Sequence, residues 1–216
     1  MIRPFGLNEA LFILSGIQAT IALSLIAFAG GGFFGFLIAL LRTADSKAAR
    51  RIAAAYIDFF QGTPLLMQLF LVFYGLPAFG VQVNQWVAVA IGLTLHASAF
   101  LGEIWRGSIQ AVPLGQTEAA RALGLHYKDR LVSVILPQAV RLSIAPTVGF
   151  LVQLIKGTSL AAIIGFVELS RSAQIIASTT YKPLLAYGLV AIFYFVLCFP
   201  LSRLSAMAER RLSVSR

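Results

Sequence analysis

Residues 10–41 read ALFILSGIQATIALSLIAFAGGGFFGFLIALL, and no charged side chain occurs between Glu9 and Arg42. A helix crosses the hydrocarbon core of a bilayer in about 20 residues. A run of this length is therefore a membrane-spanning helix rather than the core helix of a soluble domain. It is longer than one crossing requires, which predicts tilt or extension beyond the bilayer. Gly30-Gly31-Gly32 within it would weaken a helix in water. In a membrane, small residues let helices approach closely, so packing is their expected role.

The pattern recurs along the chain. No charge separates Asp58 from Glu103 or Lys182 from Arg203, and from Leu142 to Val167 the one charge is Lys156. Of the 216 residues, 59% are apolar and 12% charged, and the mean hydropathy is +0.87. A soluble domain carries about 25% charged residues. Five spans are predicted, near 11–41, 54–77, 84–104, 142–166 and 184–204. The second run, 59–102, has to turn back on itself, because Pro64, Pro77 and the polar Gln82-Val83-Asn84-Gln85 break it. The expected fold is an all-α integral membrane protein of five transmembrane helices, with residues 1–216 as one transmembrane domain.

The net charge of +9 does not point to nucleic acid, because the basic residues sit between apolar spans and are not interleaved with aromatics on a polar surface. The one cysteine, Cys198, excludes an intrachain disulfide, and no metal site is expected. Met1-Ile2-Arg3-Pro4 leads into an apolar stretch too long for a signal-peptide core, so a retained first span is expected. Orientation follows from lysine and arginine. With the N-terminus outside, the inner segments hold Arg42, Lys47, Arg50, Arg51, Arg106, Arg121, Lys128, Arg130, Arg141, Arg203, Arg210, Arg211 and Arg216; the outer ones hold Arg3, Arg171 and Lys182. Thirteen against three puts the C-terminus and the loop from about 105 to 141 in the cytoplasm.

That loop is too long and too patterned for a tether. Glu118 to Leu123 are good helix formers, and Gly124 suits a helix C-terminus. A second helical piece carries Leu131, Val134 and Ile135 on one face, with Lys128, Asp129 and Arg130 outside it, and Pro137 then interrupts the run into the fourth span. A short amphipathic helix of this kind either lies in the lipid interface or docks on a partner.

Glu118-Ala119-Ala120, three residues, Gly124, nine residues, then Val134-Ile135-Leu136-Pro137 resembles the EAA motif of bacterial ATP-binding-cassette importer permeases. Gly62-Thr63-Pro64-Leu65-Leu66-Met67-Gln68-Leu69, Glu103-Ile104-Trp105-Arg106-Gly107, Gly115-Gln116-Thr117-Glu118, Lys156-Gly157-Thr158-Ser159-Leu160 and Glu168-Leu169 are similar to the polar amino-acid branch of that family, over about residues 10–205. One departure is Gln61, which stands where the branch usually has arginine. The resemblance implies a type I importer permease of the bacterial inner membrane. It implies that Glu118, Ala119, Ala120, Gly124 and Pro137 belong to a coupling element docked on a cytoplasmic ATPase dimer. It further implies a second permease subunit, the same or related, an extracytoplasmic substrate-binding protein and a polar amino acid as cargo. No Gly-x-x-x-x-Gly-Lys-Ser/Thr occurs in the sequence. The chain is thus not expected to be an enzyme or to need a cofactor of its own, ATP being bound by the partner.

Ionisable groups inside spans are costly unless paired or hydrated, so each is a candidate for function. Lys156 lies fifteen residues past Arg141 and twelve before Glu168, at a depth that calls for a cavity or a carboxylate. Thr158 and Ser159 add hydroxyls nearby, and His96 lies seven residues before Glu103 on the same helical face. One reading is a zwitterion site: Lys156, Thr158 and Ser159 take an α-carboxylate, Glu103 takes the α-amine or a cationic side chain, and His96 contributes. A second pairs Glu103 with Lys156 to hold two spans together. A third leaves Glu103 with Arg106. At the level of the whole chain, the alternatives to a permease subunit are a self-contained secondary transporter or channel for a small polar solute, and a membrane anchor that recruits a partner.

Overall fold

Glu9 accepts a hydrogen bond from the backbone N–H of Gly6 (3.0 Å) and so opens α1, an unbroken helix of 37 residues over Leu7–Thr43. The structure is a computed structural model that describes residues 4–213. Arg3 and Arg216, counted above for orientation, lie outside the described residues, as does the side chain of Arg211. At 1.5 Å per residue α1 is about 55 Å long, so it overruns a hydrocarbon core of about 30 Å.

Small residues set how α1 packs. A Cβ on Gly31 would lie 2.4 Å from Ala97 Cβ, and one on Gly35 would lie 3.0 Å from the Ser98 carbonyl oxygen. A Cβ on Gly102 would in turn lie 3.2 Å from the Gly35 carbonyl oxygen. A Cβ on Gly30 would lie 2.9 Å from Thr94 Cγ2, so Gly30 and Gly31 meet the expected packing role, while a Cβ on Gly32 would meet only Trp105, at 3.6 Å. The partner is α4, Gln85–Gln110, whose first turn is capped by Asn84 accepting from Val87 N–H at 2.9 Å. Around this contact Leu23, Ala27, Leu93, Ala97, Leu101, Phe150 and Leu154 form a buried core.

The span expected at 54–77 is not one helix. It consists of α2, Lys47–Gly62, and α3, Leu65–Ala78, bent by 103°. Pro64 causes the bend: it has no N–H for the helical ladder and drives Thr63 to extended backbone (φ −114°, ψ 142°). Pro77 sits inside α3 without ending it, and the chain turns instead at Gly80 (φ +80°). The Tyr56 hydroxyl holds α2 on α4 through the Leu95 carbonyl (3.1 Å) and the Ser98 hydroxyl (2.7 Å).

After α4 come α5, Leu114–Ala122, and α6, Tyr127–Arg130, which runs through a π turn at Leu131–Ile135 into α7, Leu136–Gly157. Pro137 does not interrupt this run as expected. It has no N–H to offer the Ser133 carbonyl, and the ladder widens into the π turn instead of breaking. A 3₁₀ turn, Thr158–Ile164, ends the rod; α8, Leu169–Thr180, and α9, Pro183–Ser213, complete the described chain. Among the described residues, four helices are long and apolar enough to cross a membrane, or five if the bent pair is one span. The five expected spans therefore stand, with the second one bent.

Candidate functional site

Two helix breaks meet in the middle of the bundle. Leu65 opens α3 after the Pro64 bend, Gly157 ends α7, and a Cβ on Gly157 would lie 3.1 Å from Leu65 Cδ2. Beside them is a cavity of about 460 Å³ whose lining includes Leu65, His96, Gln153, Lys156, Gly157 and Ser159. Freed backbone groups are tolerated at membrane depth only where they are buried in protein or line a hydrated cavity. Lys156 sits in the last turn of α7, where the outward carbonyls favour a cation. Its side chain is exposed and makes no ion pair among the described residues. Ser159 donates its hydroxyl proton to the Lys156 carbonyl (2.7 Å). Thr158 departs from expectation: it is fully buried, donates to the Ile155 carbonyl (2.7 Å) and does not line the cavity. Adjacent residues on a helical turn do not share a face, so the two neighbouring hydroxyls point different ways.

His96 is held by a side chain that sequence reading passed over. The Gln68 amide nitrogen donates to the Phe60 carbonyl (2.7 Å), the Thr63 carbonyl (3.0 Å) and the Thr63 hydroxyl oxygen (3.0 Å). Three surrounding oxygens fix which end of the amide is the NH2. Its oxygen then faces His96 Nδ1 at 3.0 Å, and since a carbonyl only accepts, Nδ1 carries the proton. Gln68 thereby closes the α2–α3 bend and orients the imidazole with one bond set.

Glu103 lies on the same face of α4 but in a different cavity, of about 470 Å³, bordered by Gln61, Phe100, Arg106, Leu142 and Pro146. It accepts from Arg106 Nε (2.7 Å) and forms an ion pair with the same guanidinium, which also bonds Gln110. The Glu103–Arg106 reading is the one the geometry contains, and Glu103 and Lys156 are not brought together. Phe100 lies between His96 and Glu103 on α4, stacked on Phe150 of α7 (centroids 5.4 Å, 13°) and against His96 (4.5 Å).

The segment expected to dock a partner protrudes from the bundle. Glu118 and Ala119 are exposed, whereas Ala120 is buried. Gly124 takes a left-handed turn (φ +75°), and the bonds Gly124 N–H to Arg121 O (2.9 Å) and Leu125 N–H to Ala120 O (3.1 Å) close α5. Leu114 and Leu123 are 78% and 81% exposed at its two ends. Arg130, expected outside, is buried with its guanidinium over the Tyr127 ring (5.5 Å).

Residues 31–214 match the family described as "Binding-protein-dependent transport system inner membrane component". The chain belongs to this family. Over 213 residues the transport component is 40% identical to the L-cystine transport system permease protein TcyB of Bacillus subtilis, covering 97% of this chain and 91% of that one. It is 34% identical over 202 residues to a probable glutamine permease protein, GlnM, of the same organism, with 94% of each covered. A solved amino acid ABC transporter crystallised with histidines superposes with a TM-score of 0.89 at 35% identity, over 94% of this chain and 95% of that chain. The MetNI methionine transporter shares the fold, with a TM-score of 0.75 at 18% identity.

One further polar cluster in the transport component had no role assigned from sequence. Glu168 is fully buried and caps α8, accepting from Ser170 N–H (2.9 Å) and Arg171 N–H (2.8 Å). The Tyr194 hydroxyl donates to it at 3.0 Å from α9, and Thr20 of α1 lies within 3.5 Å. Gly16 lets α1 sit against this cap, a Cβ there falling 2.9 Å from the Leu169 backbone. The available signal was an acidic residue at the start of a helical segment, but only the fold supplies its partners on two other helices.

Proposed function

We propose that this chain is the membrane-spanning subunit of an ATP-driven importer of polar amino acids, with the cavity at Lys156 as its substrate site. The observation that carries the reading is the exposed lysine among polar groups where two broken helices meet, at the far end of the same rod that begins in the protruding α5–α6 segment. Lys156 takes the substrate carboxylate, and Ser159 and His96 supply neutral polar contacts. Thr158 supports the turn from behind, and Glu103 with Arg106 lines the pathway beyond Phe100.

ATP is hydrolysed by a separate ATPase dimer, which docks on Glu118, Ala119 and the exposed leucines that flank α5. A second permease subunit, the same chain or a related one, completes the pathway, and an extracytoplasmic binding protein delivers the cargo. The chain sits in a bacterial inner membrane with its N-terminus outside and the α5–α6 segment in the cytoplasm, a reading that the distribution of basic residues supports. The names of the cystine and glutamine relatives support the amino-acid assignment.

Reconstitution into proteoliposomes with the ATPase and the binding protein tests this. Uptake of a polar amino acid should require ATP, and Lys156→Ala should abolish most of it while protein yield stays near wild type. Uptake driven by an ion gradient without ATP would make the chain a secondary carrier and overturn the proposal.

A further inference from the structure

We infer that the cavity selects amino acids with neutral or acidic side chains and excludes those with cationic ones; this rests on its being the substrate site. Lys156 is the one formally charged group among the residues that line it, and none of them is acidic. The one carboxylate of α4, Glu103, is paired with Arg106 and lines the other cavity with Phe100. Glu168 is fully buried, already accepts from two N–H groups and a hydroxyl, and does not line the cavity.

The acceptors that do line it are neutral. Gln68 holds the proton of His96 on Nδ1, so Nε2 of the neutral imidazole is an acceptor. Ser159 has spent its proton on the Lys156 carbonyl, which leaves its oxygen able only to accept from a substrate. A zwitterion is matched: carboxylate to Lys156, ammonium to Nε2 and the Ser159 oxygen. A second carboxylate also finds Lys156 attractive. A second cation, as in lysine or arginine, finds no carboxylate and is repelled by Lys156. Gln68 is a positioning residue here, since it acts through His96.

Equilibrium binding of radiolabelled glutamine, glutamate, cystine, arginine, lysine and ornithine to the purified permease–ATPase complex tests this. At least one of the first three should bind, and each of the last three should bind about tenfold more weakly or worse, a difference of about 1.4 kcal/mol. Lys156→Glu should reverse the preference, and Lys156→Gln, which introduces no new charge, should shrink the ratio. Gln68→Leu should weaken binding of the zwitterions while Lys156→Arg retains the wild-type order. Arginine or lysine binding as tightly as the best neutral or acidic ligand overturns the selectivity even if Lys156→Ala weakens the whole panel. An unchanged panel in Lys156→Ala, or no binding of any of the six, overturns the site reading and this inference with it.

Discussion

Replacing Gly31 by alanine tests the α1–α4 contact directly. The added Cβ would lie 2.4 Å from Ala97 Cβ and 3.1 Å from both the Ala97 carbonyl carbon and the Ser98 nitrogen. Carbon atoms settle about 3.5–4.0 Å apart, so α1 has to withdraw by more than about 1 Å. Two of the three obstacles are backbone and none is a flexible chain end, so no rotamer change relieves the clash. Overpacking of this kind costs about 1–3 kcal/mol, and here it also pulls Leu23 and Ala27 off Leu93 and Leu101. Gly32→Ala is the control, because its Cβ would meet only Trp105, at an ordinary 3.6 Å. The thermal midpoint of detergent-purified protein should fall for Gly31→Ala and stay unchanged for Gly32→Ala. Ala97→Gly removes the 2.4 Å neighbour, and although a helical glycine itself costs about 0.5–1 kcal/mol, the double variant should be more stable than the sum of the singles. Strictly additive losses, or a Gly31→Ala protein that melts with wild type, would refute the packing argument.

Gly124→Val forces a β-branched residue into the left-handed turn that closes α5; substrate-stimulated ATPase activity should drop while membrane insertion is unaffected. Glu168→Ala strands the Tyr194 hydroxyl and two N–H groups, at about 1–3 kcal/mol for an unmade buried bond, and should lower the thermal midpoint without moving relative affinities among substrates. Breaking the half-exposed Glu103–Arg106 pair with Glu103→Gln should change the midpoint little, since such i,i+3 pairs contribute about 0.2–0.5 kcal/mol. In sealed cells, single cysteines at the exposed Gln82 and Gln174 should react with an impermeant reagent and one at the exposed Ser133 should not; labelling at Ser133 contradicts the proposed orientation.

The spans were legible in the sequence because the cost of burying charge in lipid writes long uncharged runs into any chain that crosses it. The left-handed turn at Gly124 was legible as well, since few residues but glycine take that backbone cheaply. Harder to see was what Pro64 and Pro137 would do. The same missing N–H produces a 103° bend at one and only a π turn at the other, and neighbouring packing decides between them. Of the residues that the sequence singled out as candidates, Lys156, Ser159 and His96 line one cavity. Thr158 was misplaced because a residue two positions past Lys156 falls on the far side of a helix, and Glu103 already had its partner three residues away. Gln68 and Glu168 were missed for a different reason: their meaning lies in bonds to residues on other helices or across a bend, which no local spacing encodes.

Because α7 runs unbroken from the π turn to Gly157, the segment proposed to dock the ATPase and the proposed substrate lysine, Lys156, would act as the two arms of a lever. From Leu136 to Lys156 the axis rises about 30 Å. A tilt of about 10° at the docking end therefore sweeps the ammonium group through about 5 Å. That stroke equals the reach of the lysine side chain itself, enough to engage or withdraw from a ligand without any side chain relaying the motion. Pro146, which leaves the Leu142 carbonyl without its helical donor part-way along the shaft, is the point where such a lever can flex.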